Sequence, residues 1–376
     1  MRLSPIQKIA LLLLSALTAT ATSARAQAAP FATTARSGVV FESYSFGGNL
    51  AFDRISEMTI PIAITQRFGK RVVVDLGTAY ASASVHQTDG TTIDHSGIID
   101  TDIRATIGLI PGRLLFTLVG TLPTGAAEVP DTTIPLFGAT ATDLLGFTTP
   151  GFGSGGGLSA GFASAFKVGQ SWAVGTGASY RHGSSYTPVA GGGELSPGGE
   201  VRARVGLEGP LGRGKYFRGA LVYTTSGANE VSGAGPTLIG DRALAYAAVS
   251  MPLGRNNLAL YGWEMRRLRA RDFDTPGAIS VPRGNVLAFG ARLERPLSPK
   301  VTLVPVLEFR HELTGPTDKM VLLGYLVRTG SDIRYRLSGQ ATAVVQAQVA
   351  FGKLNDDGDS VSLFGPRLGV LIEWSR

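Results

Sequence analysis

Two groups of side chains in this sequence could do chemistry by their type and spacing. The first is a series of arginines and carboxylates at alternate positions: Asp100, Asp102 and Arg104 in "DTDIRATIGLI", Arg202 and Arg204 between Glu200 and Glu208 in "EVRARVGLE", and Arg334 and Arg336 in "DIRYRL". A planar guanidinium clasps a carboxylate through two parallel hydrogen bonds. Such a series either braces a wall with ion pairs or, where an arginine is left over, imposes a charge preference on whatever passes it. Arg334 and Arg336 share their face with Asp332 alone, so one cation there is in excess. The second group is His182 and Ser184, a base and a hydroxyl two residues apart, with Glu194 in the following loop able to orient the base for acyl hydrolysis. A rim histidine beside loop serines gives the same spacing.

Other chemistries lack their residues. With no cysteine there is no thiol nucleophile, disulfide or thiolate metal site. The four histidines, His86, His95, His182 and His311, offer no second ligand at metal-binding spacing. Glycine runs such as "AGGGE" do not open a helix after a strand, so a phosphate cradle fails on context. No cofactor or metal is implied.

The elements that must position these groups are strands. In "EMTIPIAITQRF" Met58, Ile60, Ile62 and Ile64 share a face, and in "LFGPRLGVLIEW" Phe364, Leu368, Val370 and Ile372 do, with Arg367 and Glu373 on the other. Period-two alternation puts oil on one face of each strand and charge on the other. Seven tight joints, from Phe68-Gly69-Lys70 to Ser338-Gly339-Gln340, alternate with longer polar stretches such as "QTDGTTIDHSG", "RDFDTPGAISVPRG" and "LNDDGDSVS". Short turns at one end and long loops at the other are the asymmetry of an outer-membrane barrel. The aromatics add two belts: Trp172, Phe217 and Trp374 near the short-turn end, and Tyr180, Tyr223, Tyr261 and Trp263 near the long-loop end.

The expected fold is an all-β transmembrane antiparallel β-barrel. Seven hairpins and a strand at each end make sixteen strands, with fourteen the other count that the strand ends allow. Oil faces lipid and charge faces the lumen, which places Glu264, Arg266, Arg292, Glu308, Arg310 and Glu312 inside together with the series above.

Composition and the leader agree. "MRLSPIQKIALLLLSALTATATSARAQA" reads as a secretory signal peptide over residues 1–26, with a basic start, a short apolar run and Ala24-Arg25-Ala26 as the cleavage site. Removing Arg2, Lys8 and Arg25 takes the formal charge from +7 to +4, too mild to argue for nucleic acid. The barrel is expected over residues 27–376, in the cell outer membrane, with outer-membrane lipid, the outer-membrane insertion machinery and small-molecule solutes as partners.

The longest connection, residues 124–157, carries Leu136, Phe137, Leu144, Phe147 and Phe152 but only three charges, Glu128, Asp131 and Asp143. A long apolar loop seldom stands free in water. Folded inward it narrows the lumen and gives it an oily lining; folded outward it forms a collection site; packed at the mouth it stiffens the rim or meets a partner.

"LPTG" at Leu122–Gly125, the long insert, the Gly-rich "GFGSGGG" leading into "LSAGFASAF", and "GTGASYRH" resemble outer-membrane channels associated with degradation of phenol and related aromatics, and more distantly the long-chain fatty-acid channels. The resemblance covers about residues 118–186. It implies passive diffusion of small, poorly soluble compounds, with the insert in the region that handles substrate; the residues themselves lead us to expect no enzyme. The fatty-acid channels carry an N-terminal plug domain, whereas here the first strand begins about a dozen residues after the cleavage site. His182 and Ser184 resemble the His and Ser pair of outer-membrane lipid A deacylases, which keeps a lipid-modifying enzyme as the alternative, beside a structural or adhesion barrel.

Overall fold

The computed structural model describes residues 31–48, 50–270, 279–315, 320–356 and 359–376. The expected signal peptide and most of "RDFDTPGAISVPRG" lie outside the described residues.

Sixteen antiparallel strands close into a barrel. They are β1 (Thr33–Phe46), β2 (Phe52–Phe68), β3 (Val72–Gln87), β4 in two pieces (Thr92–Ile98 and Thr101–Ile110), β5 (Leu114–Leu122), β6 (Gly157–Val168), β7 (Trp172–Gly183) and β8 (Glu200–Gly212). The second half comprises β9 (Lys215–Ser226), β10 (Arg242–Leu253), β11 (Asn256–Arg267), β12 (Arg283–Pro296), β13 (Val301–Gly315), β14 (Val321–Arg336), β15 (Ala341–Asp356) and β16 (Asp359–Ser375). Each strand pairs with its sequence neighbours, and β16 returns to β1 with Phe41 opposite Leu368 and Glu42 opposite Arg367. Closure removes the unpaired edges that a bilayer would leave unsatisfied.

β4 is broken where Ile99 and Asp100 leave the ladder. Its first piece pairs with the outer half of β3, and its second with Val72–Gly77 of β3 and with β5. The stretch "TIDHSGI", most of it expected as loop, is therefore strand, because Ile93 turns inward onto apolar side chains while Asp94 takes the other face.

The exterior is apolar over most of the circumference: Phe41, Ile62, Leu118, Phe162, Val205, Leu221, Phe289, Leu307, Val349 and Leu368 all stand exposed on it. So much exposed oil, in a closed ladder with no unpaired edge, is a lipid-facing band, and the protein is an outer-membrane barrel. No helix among the described residues is long and apolar enough to cross a membrane; the strands cross it.

One strand inverts the expected assignment. In β11, Tyr261 stands opposite Gly290 and Trp263 opposite Ala288, whose side is fully buried, so both rings point inward. Glu264 and Arg266 consequently face out, with Leu287 and Asn285 beside them. They satisfy each other, Arg266 Nε to Glu264 Oε1 at 2.6 Å, and Asn285 adds a bond to the same oxygen at 3.1 Å. The physical reason is register: Leu258 and Leu260 take the lipid face, and an alternating strand then has no choice for the residues that follow.

Candidate functional site

The interior is built around the long loop. β5 ends at Leu122 and β6 begins at Gly157, so the connection is 123–156; it carries a 3-10 turn (Asp131–Thr133) and a short helix α1 (Ile134–Thr140) started by Pro135. It folds inward. Leu136, Phe137, Leu144, Leu145, Phe147 and Phe152 are buried against Tyr44 and Phe46 of β1, Ile55 of β2, Ala81, Ala83 and Val85 of β3, Leu326 of β14 and Leu363 of β16. Phe147 meets Tyr44 edge to face at 5.2 Å, and Phe152 meets His95 of β4 at 4.6 Å. The loop thus occupies one side of the mouth, that of β1–β4 and β13–β16.

Backbone groups inside such a fold need partners, and the wall supplies them as charges. Glu42 of β1 accepts from Thr148 N and Oγ1 at 3.1 and 2.8 Å. Glu57 of β2 accepts from Thr149 N at 2.9 Å, and Glu312 of β13 from Leu144 N at 2.9 Å. Asp100, at the break in β4, accepts from Gly125 N and from Ser154 N and Oγ, tying the two ends of the loop together. Arginines serve the carbonyls: Arg328 of β14 donates to Leu145 O at 3.0 Å and to Tyr44 Oη at 2.7 Å, and Arg310 of β13 to Asp143 O at 3.1 Å. Gly146, at φ +63°, lets the chain turn where Arg310 approaches so closely that a Cβ would collide with it.

These anchors are held in turn. Arg367 bonds Glu42 at 2.8 Å; Arg310 bonds Glu308, which also accepts from Tyr261. Burial raises the Asp143 carboxyl above its ordinary range, ahead of the lowering pull of Arg267, Arg310 and Arg242.

The expected selectivity residues divide. Asp100 is buried under the loop. Asp102 accepts from Thr121 Oγ1 at 2.6 Å, and Arg202 pairs with Glu200 at 2.7 Å. Asp332 is taken by Arg292 and Gln348, so it does not pair with Arg334 or Arg336. Arg104 and Arg204 have no ion-pair partner within reach among the described residues. Glu42, Glu57, Tyr44 and Arg328 were not singled out by sequence. The signal for Glu42 was a single carboxylate amid apolar and small residues in "VVFESYSF", and for Glu57 an acid on the opposite face to Met58 and Ile60 in "RISEMTI".

His182 stands on the lipid face, opposite Leu158, and no hydrogen bond joins it to Ser184 or Glu194 among the described residues. No group of three or more His, Asp or Glu stands together as a metal site among them either.

No family model and no curated protein sequence matches the chain. Among solved structures, a bacterial polysaccharide outer membrane secretin is similar at 11% identity and a TM-score of 0.45, over 91% of this chain and 97% of that one. OpdQ of Pseudomonas aeruginosa is similar at 11% identity and 0.44, over 92% and 97%. An anion-selective porin from Comamonas acidovorans is similar at 13% identity and 0.43, over 92% and 98%.

Proposed function

We propose that this barrel is an outer-membrane channel through which small compounds, hydrophobic or aromatic ones included, diffuse passively. The observation that carries the reading is the asymmetry of the interior. The 123–156 loop fills one side with an oily, charge-anchored mass, while on the other side most inward residues of β6 and β7 are small, Ser159, Gly161, Ala163, Gly175, Gly177 and Ser179, with Arg181, opposite Ser159 and Glu200, the large exception. A wall of small side chains leaves room in the lumen, and the apolar loop beside it offers a surface for poorly soluble solutes. Leu136, Phe137, Leu144, Phe147 and Phe152 serve in this reading by shaping the loop.

Planar-bilayer conductance, together with liposome swelling in a panel of aromatics, sugars and fatty acids, tests it. Stepwise conductance and solute-dependent swelling are expected, and deletion of residues 128–150 should enlarge both. A protein that inserts without conducting or swelling liposomes, with and without the loop, would overturn the reading. His182→Ala in a lipid-hydrolysis assay should leave the channel signal intact.

A further inference from the structure

The short-turn end of the barrel carries charge of one sign. Counted with the two residues on either side, the seven turns hold eleven lysines and arginines and no aspartate or glutamate, and every turn has at least one cation. Lys70 and Arg71 stand in the first turn, Arg213 and Lys215 at the fourth, Arg295 and Lys300 at the sixth. Ten of the eleven are exposed, and among the described residues none of the eleven forms an ion pair. In the long connections the sign is opposite: their described residues hold seven carboxylates, Asp89 and Glu194 among them, and one cation, Arg269.

The carboxylates nearest to the short turns sit on the inner face of the strands and have arginines of the wall beside them. Glu208 pairs with Arg218 at 3.0 Å, Glu373 lies 3.8 Å from Arg36, and Asp75 stands directly across from Arg104. Arg376 has its own guanidinium beside the terminal carboxylate. That leaves Glu294, opposite Asn257, against the whole set. Arg67, Lys167 and Arg336 take the inward phase of their strands and border the mouth. The other eight are at the turn tips or, like Lys215 and Arg295, on the outward face.

Two features of these eight fix what they meet. They run round the circumference, at every second strand boundary except the β6–β7 and β14–β15 turns, as the lipid shell of a barrel does and a protein docked on one side does not. They also lie just beyond an aromatic girdle. Phe68 precedes Lys70 by two residues, Phe217 follows Lys215 by two on the same outward face, Trp172 is 6.2 Å from Phe217, and Trp374 faces out beside Ala35. Such girdles mark the headgroup level, so cations beyond them are level with the phosphates. We infer that the ring is a docking surface for phospholipids of net negative headgroup in the periplasmic leaflet, which it gathers around the foot of the barrel. It needs only the barrel and its orientation, not a conducting lumen.

Trp172 and Trp374 face lipid at this end and Trp263 points inward, so quenching by brominated acyl chains reads the shell beside the ring. The mature protein is placed in phosphatidylcholine vesicles containing phosphatidylglycerol, with bromine on one lipid or the other at equal mole fraction. One cation at an anionic surface corresponds to a preference of about fivefold for phosphatidylglycerol. Raised salt should bring it toward unity in the unaltered protein. Arg213→Gln with Lys215→Gln, folded by heat-modifiable migration, should lower the preference seen by Trp172 in a Trp374→Phe protein. The preference seen by Trp374 in a Trp172→Phe protein should stay, and Arg213→Lys should retain both. Equal quenching by the two lipids, or a preference that ignores salt or the Gln pair, overturns the lipid assignment. Equal quenching together with co-sedimentation on isolated peptidoglycan, lost when the eight cations are made glutamine, would give the ring to the cell wall instead.

Discussion

Arg328 is the residue on which the loop depends most. Its guanidinium is buried, bonds Tyr44 Oη and Leu145 O, and lies 3.8 Å from Glu42. Removing one member of a buried charged network costs about 3–5 kcal/mol, because the partners stay buried and unpaired. Arg328→Leu should therefore leave the barrel able to insert while releasing the loop, seen as faster proteolysis within 128–150 and a lower denaturant midpoint. Asp143 gives the loop a pH response. Its folded-state pKa is raised by burial, so the folded protein holds this proton more tightly than the unfolded chain does. The contribution to seating is complete below the ordinary carboxylate range and is lost as pH rises through the raised value. Proteolysis of the loop should accelerate with rising pH across that interval, and Asp143→Asn should flatten the profile.

At the scale of the element, alternation was legible and phase was not always. β2 and β16 declare their faces, because Met58, Ile60, Ile62 and Ile64, or Phe364, Leu368, Val370 and Ile372, leave one answer. β11 does not: "YGWEMRR" offers oil and charge in both phases, and only its pairing with Ala288 and Gly290 of β12 sends Tyr261 and Trp263 inward. The inward fold of the loop was one of the expected alternatives, since its apolar residues had to be covered somewhere. Its anchors escaped because a lone Glu42 or Glu57 finds its partner more than ninety residues away, at separations of 106 and 92. The outward pair of β11 sits near the long-loop rim, where charged side chains on the lipid face cost about 0–1 kcal/mol. Replacing Glu264 and Arg266 together by leucine should shift thermal stability by no more than that, measured by heat-modifiable electrophoretic migration. A large loss would mean that the pair holds more than itself.

For the whole molecule, the loop is gripped by residues from both ends of the chain: Glu42, Glu57 and Asp100 from the first strands, Arg310, Glu312 and Arg328 from the last. Leu145 and Arg328 lie 183 residues apart. Contacts of such separation come late, because the entropy of closing the intervening chain has to be met first. The seat for the loop does not exist until β16 has met β1. The Trp263 ring lies 5.8 Å from the Arg310 guanidinium, which also donates to the loop carbonyl of Asp143, so its fluorescence senses seating through Arg310. Refolding into detergent micelles should show strand formation by circular dichroism ahead of a slower Trp263 fluorescence change, with Arg328→Leu losing the slow phase alone. A cylinder that closes before its loop is seated has, for that interval, a wider bore along β1–β4 and β13–β16, the side that the loop later fills.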